Sequence, residues 1–407
     1  MSYDESYRHH RNIIIGAGIS GIYLANKLRE LGQSYFILEK NDYIGGRALW
    51  KNFHNSIVTM GAGVIRASDI NVISLCKKLN IDLKKSESKP ILHDILKINS
   101  DIFPSMISQI KNTFDKLYQT NLLRLQLMTM DEFLLSEFDH EFNHIFRTSV
   151  VYNDFYSASV IDTLKNYPYT DLLPKLSTIY TINGGWKKLL VELVKLLEQS
   201  RINLNCMVEK IDSRNKSIST SKNKSYTYDN LFICTDISIN NINGYIPTKL
   251  KKTLNNIGSI EFIRIYSYHP SGHGIANMII TPGLLHKLIP ITDKILMVAY
   301  SDGNRAKYLN KLLECQDKES QLKIVNKYYE KTIDGLNIIK SNITDIVFKY
   351  WEHGIHYFKP YNQPLYLSDD NINLIGEFIS ENQGWVEGAI QSVNDFIKNF
   401  ESNLNEL

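Results

Sequence analysis

Near the start of the chain an unbroken apolar run, Ile13-Ile14-Ile15, follows Asn12 and stops at Gly16-Ala17-Gly18-Ile19-Ser20-Gly21. Beyond the glycines Ile19, Ile22, Ala25 and Leu28 recur every three residues, a helical spacing, and Tyr35-Phe36-Ile37-Leu38-Glu39 turns strand-like again. The pattern predicts a strand, helix, strand unit. A helix from about Asp69 follows, with Val72, Leu75, Cys76 and Leu79 on one face. From about 80 to 180 the chain has no glycine, and stretches such as 130–146 read as helix, so an inserted, mainly helical cap is expected there. Gly184-Gly185 opens a further helix through Trp186, Leu189, Leu190, Leu193 and Leu197. Short strands are expected at 207–211, 217–220 and 231–234, with 221–224 as a hairpin turn. Alternation at 262–268, 295–300 and 343–350 predicts a second sheet, with a helix near 322–329. A last strand at 373–375 precedes Gly376-Glu377 and a terminal helix opened by Gly384-Trp385-Val386-Glu387-Gly388-Ala389.

Composition narrows the class rather than the fold. Of 407 residues 43% are hydrophobic and 22% charged, which allows a sizeable core and two to three domains at roughly 150 residues each. The 46 Lys+Arg against 43 Asp+Glu leave +3, short of the basic footprint of a nucleic-acid-binding protein. Cys76, Cys206, Cys234 and Cys315 are scattered, without C-x-x-C or a histidine at zinc spacing, so neither a disulfide framework nor a metal site is indicated. The first residues, MSYDESYRHHR, carry acids where a signal peptide needs an apolar run, and the uncharged, glycine-interrupted stretch 12–26 is too short to span a bilayer. A soluble, cytoplasmic protein without a membrane span is the expectation.

The chemistry begins at Gly16-x-Gly18-x-x-Gly21, between a predicted strand and a predicted helix. The first glycine permits a tight turn, the second lets backbone N–H groups approach a pyrophosphate, and the third allows helix and strand to pack closely. Glu39, at the end of the second strand, is placed to accept hydrogen bonds from ribose hydroxyls. This context points to a dinucleotide. Gly45-Gly46-Arg47 would bring a second glycine loop and a cation back towards the same phosphates, since arginine pairs well with phosphate oxygens.

With these motifs the sequence resembles the flavin-containing amine oxidoreductases, the group of monoamine and polyamine oxidases, L-amino-acid oxidases and related phytoene and protoporphyrinogen dehydrogenases. The resemblance is strong at 12–66 and 374–390, fair at 182–235 and weak elsewhere. It implies an α/β fold with a discontinuous Rossmann-like FAD-binding domain (1–79, 180–245 and 362–407) and a substrate-binding domain of mixed sheet and helices (80–179 and 246–361). It implies that Gly16, Gly18, Gly21, Glu39, Gly46 and Arg47, with Ile19, Ser20, Lys40 and Gly45 beside them, hold the ADP half of FAD. Gly61, Ala62, Gly63 and Val64 would line the isoalloxazine, where family members often carry Gly-Gly in place of Gly61-Ala62. Val208 matches a position on the adenine side, and Thr235 follows the strand that closes the nucleotide domain. Gly376-Glu377 matches the family's residues at the phosphate and ribitol. The segment through Trp385, Val386 and Ala389 matches one that sets a helix N-terminus near the flavin's pyrimidine end, where it stabilises negative charge on the reduced ring. The cysteine that tethers flavin in some members is absent from 352–361, so the FAD is expected to be non-covalent. Residues 288–291 through 300–303 are most similar to uncharacterised members from large DNA viruses.

For catalysis the resemblance implies that Trp385 forms one wall of an aromatic cage that admits a neutral amine, excludes water and aligns a C–H bond for hydride transfer. His356 or Tyr357 is expected as the second wall, while Trp351 and His353 read as core packing. The lysine that many amine oxidases carry on a strand of this region has no counterpart in phase within 262–266. Arg264 shares a strand face with Phe262, Tyr266 and Tyr268, and either binds a substrate carboxylate in a pocket or makes a surface or interdomain ion pair. The leading function is FAD-dependent oxidation of the C–N bond of a small amine or amino acid with O2 as electron acceptor. A C–C desaturase and a non-catalytic flavin-binding scaffold are the alternatives. Monomer and homodimer both stay open.

Overall fold

A computed structural model describes residues 7–85, 91–92, 103–150, 152–166, 178–236, 238–239, 242–281, 283–334, 338, 340–361 and 363–405. The first sheet is built around the parallel strands β1 (Tyr7–Ile15), β2 (Phe36–Leu38) and β3 (Ser225–Ile233), with β1 between the other two and the short strand Ile372–Leu374 beyond β3. Both faces of β1 are covered. Ile14 packs against α1 (Ile19–Glu30), α2 (Gly185–Lys195) and α3 (Val386–Asn405), while Ile13 and Ile15 join Val208, Ile211 and Leu231 on the other side. That is why the sequence shows a continuous apolar run there instead of alternation. The strand expected at 231–234 begins earlier, at Ser225. Its first half pairs antiparallel with Ser217–Thr220, the turn falling at 221–224, and its second half pairs with Ile372–Leu374.

All four strands end at one edge, in Gly16, Glu39, Cys234 and Ile375, tied across by Gly16 N–H to Leu38 O (2.8 Å) and Cys234 N–H to Ile15 O (2.9 Å). The carboxyl ends of parallel strands, where the strand order reverses, are where such sheets bind ligands.

The second sheet contains β4 (Ile257–Tyr268), β5 (Lys287–Thr292), β6 (Ile295–Asp302) and β7 (Asp345–Phe358), in the order β7-β4-β6-β5. Successive side chains alternate across it. Ile263 and Ile265 pack with Leu309, Leu313, Val325 and Tyr329 of the helices Gly303–Leu313 and Lys318–Ile333. Phe262, Arg264 and Tyr266 therefore face the opposite way, towards the first sheet. β7 runs well past the expected 343–350, so residues 351–358 are strand.

The glycine-free region contains helices between 103 and 166 with a core of their own, including Ile110, Phe114, Phe133, Phe146 and Phe155. The single helix expected at 130–146 is two, Met130–Glu137 and His140–Ser149. Thr129 and Glu132 form a capping box on the first, Asp139 caps the second by accepting from Phe142 N–H at 2.8 Å, and Phe138 between them is extended. Leu83–Lys85 and Ile179–Ile182 are strands, not helix; they pair with each other, and Ile179–Ile182 also pairs with Ile65–Arg66 on its other side. Residues 86–90, 93–102 and 167–177 of the expected cap lie outside the described residues.

Candidate active site

Between the carboxyl edge of the first sheet and the near face of the second is a cavity of about 1750 Å³. Among the residues singled out in the sequence, Gly16, Gly18, Ile19, Ser20, Glu39, Lys40, Gly45, Gly46, Arg47, Gly61, Ala62, Gly63, Val64, Val208, Thr235, Arg264, Glu377, Trp385, Val386 and Ala389 line it. Gly21, Gly376, His356 and Tyr357 do not.

The three glycines of the first loop divide the work as their spacing suggests. A Cβ on Gly16, at φ +105°, would meet Cys234 O at 2.7 Å, and one on Gly21 would meet Gly16 O at 2.0 Å, so these two positions hold strand and helix together. A Cβ on Gly18 would meet nothing within 4 Å, which leaves its backbone open to the cavity. The first bond of α1 runs from Ile22 N–H to Gly18 O at 3.0 Å, so the N–H groups of Ile19, Ser20 and Gly21 have no partner within the helix. No acid occupies the first turn, and the site suits an anion. Gly45 N–H donates to Ala17 O at 2.8 Å, docking the second glycine loop on the first. Buried Glu39 accepts from Ala17 N–H (2.8 Å), Asn41 N–H (2.9 Å) and Asn41 Nδ2 (2.6 Å). A carboxylate has about four acceptor positions, and one is left for a hydroxyl of a ligand.

Arg47 reaches the cavity already paired. Its Nη1 donates to Glu377 Oε1, with Gly354 O at 3.3 Å, while no other nitrogen of the guanidinium has a partner among the described residues. His356 Nδ1 lies 2.8 Å from Glu377 Oε1 and 2.9 Å from Arg47 Nη1. Nδ1–H donates to the carboxylate, because ionised Glu377 can only accept. Burial raises the Glu377 carboxyl, but Arg47 and His356 outweigh it and hold the group down at about 2. Burial pushes His356 down, more than Glu377 pulls it up. The imidazole is neutral, fully buried behind this pair, and its Nε2 has no partner. His356 is therefore not a wall of the cavity. Tyr357 is not one either, since its ring covers Gly258 on the neighbouring strand β4.

Trp385 does line the cavity, just before the first turn of α3. Arg66 covers one of its faces, with Cζ 4.0 Å from the ring centroid, and is itself held by Asp69 Oδ1 (2.8 Å) and Asn382 Oδ1 (3.1 Å). Only the remaining face and edges of the indole are free for a ligand. Glu387, buried in the first turn of α3, accepts from Asn71 N–H and Val72 N–H, both at 3.0 Å, and so caps the helix Ile70–Lys78.

At the end formed by β4, β5 and β6, Arg264 lines the cavity beside Phe262 and Tyr266, while Tyr268 of the same expected face does not. Its partner is no acid but Thr59, from the hairpin Trp50–Phe53 and Ser56–Thr59. A lysine does reach the cavity, from two strands away in the same sheet: Lys287, at the start of β5. Asp154, Tyr152 and Tyr300 stand around it, and Trp351 and His353, expected as core packing, also line the cavity. Burial and then the charge of Asp302 push the Asp154 carboxyl up to about 7. Sequence reasoning missed Asp154, Tyr152, Tyr300 and Lys287. The one available signal was Lys287 itself, a lone cation in the apolar run Leu284-Leu285-His286-Lys287-Leu288-Ile289.

Residues 19–392 match the family model of the flavin containing amine oxidoreductases. Among curated relatives the chain is 30% identical over 121 residues to amine oxidase [flavin-containing] B of Mus musculus, a match covering 30% of this chain and 22% of that protein. It is 36% identical over 84 residues to lysine-specific histone demethylase 2 of Homo sapiens, covering 20% of this chain and 10% of the relative. The chain thus spans about a fifth of the length of the amine oxidases it matches. Among solved structures it resembles cyclohexylamine oxidase from Brevibacterium oxydans, with a TM-score of 0.77 at 16% identity over 97% of this chain and 99% of the other. A putrescine oxidase redesigned at its cofactor site gives a TM-score of 0.74 at 12% identity over 98% and 100%. These likenesses share the α/β fold described above, and no helix among the described residues is long and apolar enough to cross a membrane. The match over 19–392, together with the glycine loops, Glu39 and the Trp385 segment on one cavity, makes the chain a member of the flavin containing amine oxidoreductases, a family of FAD enzymes.

Proposed function

We propose that the protein oxidises the C–N bond of an amine to an imine that water hydrolyses, with O2 as the final electron acceptor and a carbonyl compound, ammonia or the freed amine, and hydrogen peroxide as products. The observation that carries this reading is the continuity of one cavity, from the two glycine loops to a far end walled by Phe262, Tyr266, Tyr300, Trp351 and Trp385. The names of the cyclohexylamine and putrescine oxidases whose fold it shares support the same chemistry. Bound FAD supplies the two-electron acceptor. The residues present fit it: the N–H groups at the start of α1, unpaired within the helix, and the open backbone of Gly18 would hold a diphosphate, and Glu39 a ribose hydroxyl. The domain division 1–79, 180–245 and 362–407 against 80–179 and 246–361 puts the glycine loops on the first unit and Arg264 on the second. The absence of a cysteine from 352–361 supports non-covalent FAD.

The other residues act on the amine. Trp385, braced by Arg66, would exclude water and fix the approach of the C–H bond, and Trp351, whose Nε1 donates to Met60 O at 2.8 Å, would give a second aromatic wall. An anaerobic visible spectrum before and after a panel of amines and amino acids tests the reading. Flavin bands that bleach with one class are expected. A protein without flavin bands after reconstitution, or a bound flavin that dithionite reduces and no amine or amino acid does, overturns it. Trp385→Ala is expected to lower the reduction rate at least a hundredfold while FAD stays bound.

A further inference from the structure

Two cations are buried at the β4, β5, β6 end of the cavity with no anion in contact. Arg264 is 4% exposed. Its Nη1 donates to Thr59 O (3.1 Å) and Thr59 Oγ1 (2.8 Å), while its buried Nε has no partner. Lys287 is 3% exposed, and its Nζ lies over the rings of Tyr152 (3.9 Å) and Tyr300 (4.6 Å). The ring of Tyr300 also sits 5.1 Å from Arg264 Cζ, so one aromatic ring is shared by both cations. Among the described residues neither has a carboxylate within 4.0 Å.

The nearby acids are engaged or neutralised. Asp302 accepts from Asn153 N–H (3.2 Å) and Asn153 Nδ2 (2.7 Å). Burial and then the charge of Asp302 push the Asp154 carboxyl up to about 7, towards its neutral form. A guanidinium keeps its charge in proteins. Burial and the charge of Arg264 push Lys287 down, Tyr300, Asp302 and Asp154 pull it up, and an anion between the two cations would hold it as the ammonium. Unpaired buried cations are expensive and are kept where a ligand completes them.

We propose that Arg264 and Lys287 form a subsite for a carboxylate of the substrate, so that the molecule oxidised is an amino acid or N-substituted amino acid rather than a simple mono- or diamine. For the reaction this rests on the functional reading above; for the subsite it rests on the two cations alone. A planar guanidinium with free N–H groups and a neighbouring ammonium is the donor set a carboxylate accepts best.

The test is calorimetric titration of the FAD-loaded protein, without oxygen, with benzoate, benzamide and benzylamine, three ligands of similar size that differ in charge. Benzoate is expected to bind at least tenfold tighter than benzamide, to weaken at least tenfold in Lys287→Met and in Arg264→Met, and to recover in part in Lys287→Arg. Equal binding of benzoate and benzamide overturns the subsite, as does preference for benzylamine, which would make Asp154 the recognition group for an ammonium. If the variants do not fold, the comparison in the unmodified protein still decides. The two readings fail separately. Tight benzoate binding with a flavin that no amine or amino acid bleaches sinks the reaction and keeps the subsite; bleaching by simple amines without benzoate preference does the reverse.

Discussion

At the glycine-loop end of the cavity Arg47, Glu377 and His356 neutralise one another within hydrogen-bond distance, whereas at the opposite end Arg264, Lys287 and Asp154 face the same space without an ion pair among them. The first end presents backbone N–H groups and a closed side-chain network, an arrangement suited to a ligand of fixed shape such as a dinucleotide. The second presents side chains whose charges are uncompensated, which is costly in the free protein and useful only to a ligand that completes them. Sites of the first kind are spelled by glycine spacing. Sites of the second kind are assembled from distant strands and leave almost no local trace.

Substitutions sharpen this contrast. Gly21→Ala has the largest expected effect, because its methyl would sit 2.0 Å from Gly16 O, and it should destabilise the fold by at least about 3 kcal/mol in thermal or urea unfolding. Gly18→Ala, where a methyl meets no protein atom, should change the stability of the flavin-free protein by less than about 1 kcal/mol yet lower FAD retention at least tenfold. If both variants behave alike, the two glycines do not have separate roles.

Glu377→Gln should cost about 3 kcal/mol near neutral pH, since it breaks a buried pair. The folded carboxyl titrates at about 2, below its usual 4.5. Its contribution is therefore complete above about 4.5 and lost as pH falls towards 2, so the gap between variant and parent in unfolding should close over that interval.

Asp154→Asn should move stability the other way. The folded carboxyl titrates at about 7 against an ordinary 3.8, so ionising it destabilises the fold progressively as pH rises from 3.8 to 7. The variant should be more stable than its parent by about 2 kcal/mol at pH 8, allowing for water in the cavity, and indistinguishable from it below pH 3.8. A variant less stable at pH 8 would show that Asp154 has an ion-pair partner after all. The smallest effect belongs to Lys40→Ala, which loses a half-exposed contact to Asp236 at 3.8 Å and should shift stability by no more than about 0.5 kcal/mol.

Much of the glycine-loop end could be read from the chain. The run at Ile13–Ile15, the glycine spacing, the three-residue helical repeat and Glu39 are local signals, and each lies within one strand, helix, strand unit. The split of 130–146 into two helices was also written locally, in Thr129-x-x-Glu132 and Asp139, although the continuous hydrophobic pattern conceals it. The placement of Arg264 followed from strand alternation, but not its partner, since Thr59 is 205 residues away in the chain.

What the sequence by itself determined was the βαβ unit and its glycine loop, because backbone geometry there depends only on neighbouring residues. Only the tertiary structure decided that Arg47 is spent on Glu377, that His356 is buried behind that pair, and that Lys287 and Asp154 meet Arg264 at one cavity. Each of these depends on long-range strand pairing and on which face of a strand turns inward. Burial and charge pairing set the chemistry of those side chains, and neither is a property of the local sequence.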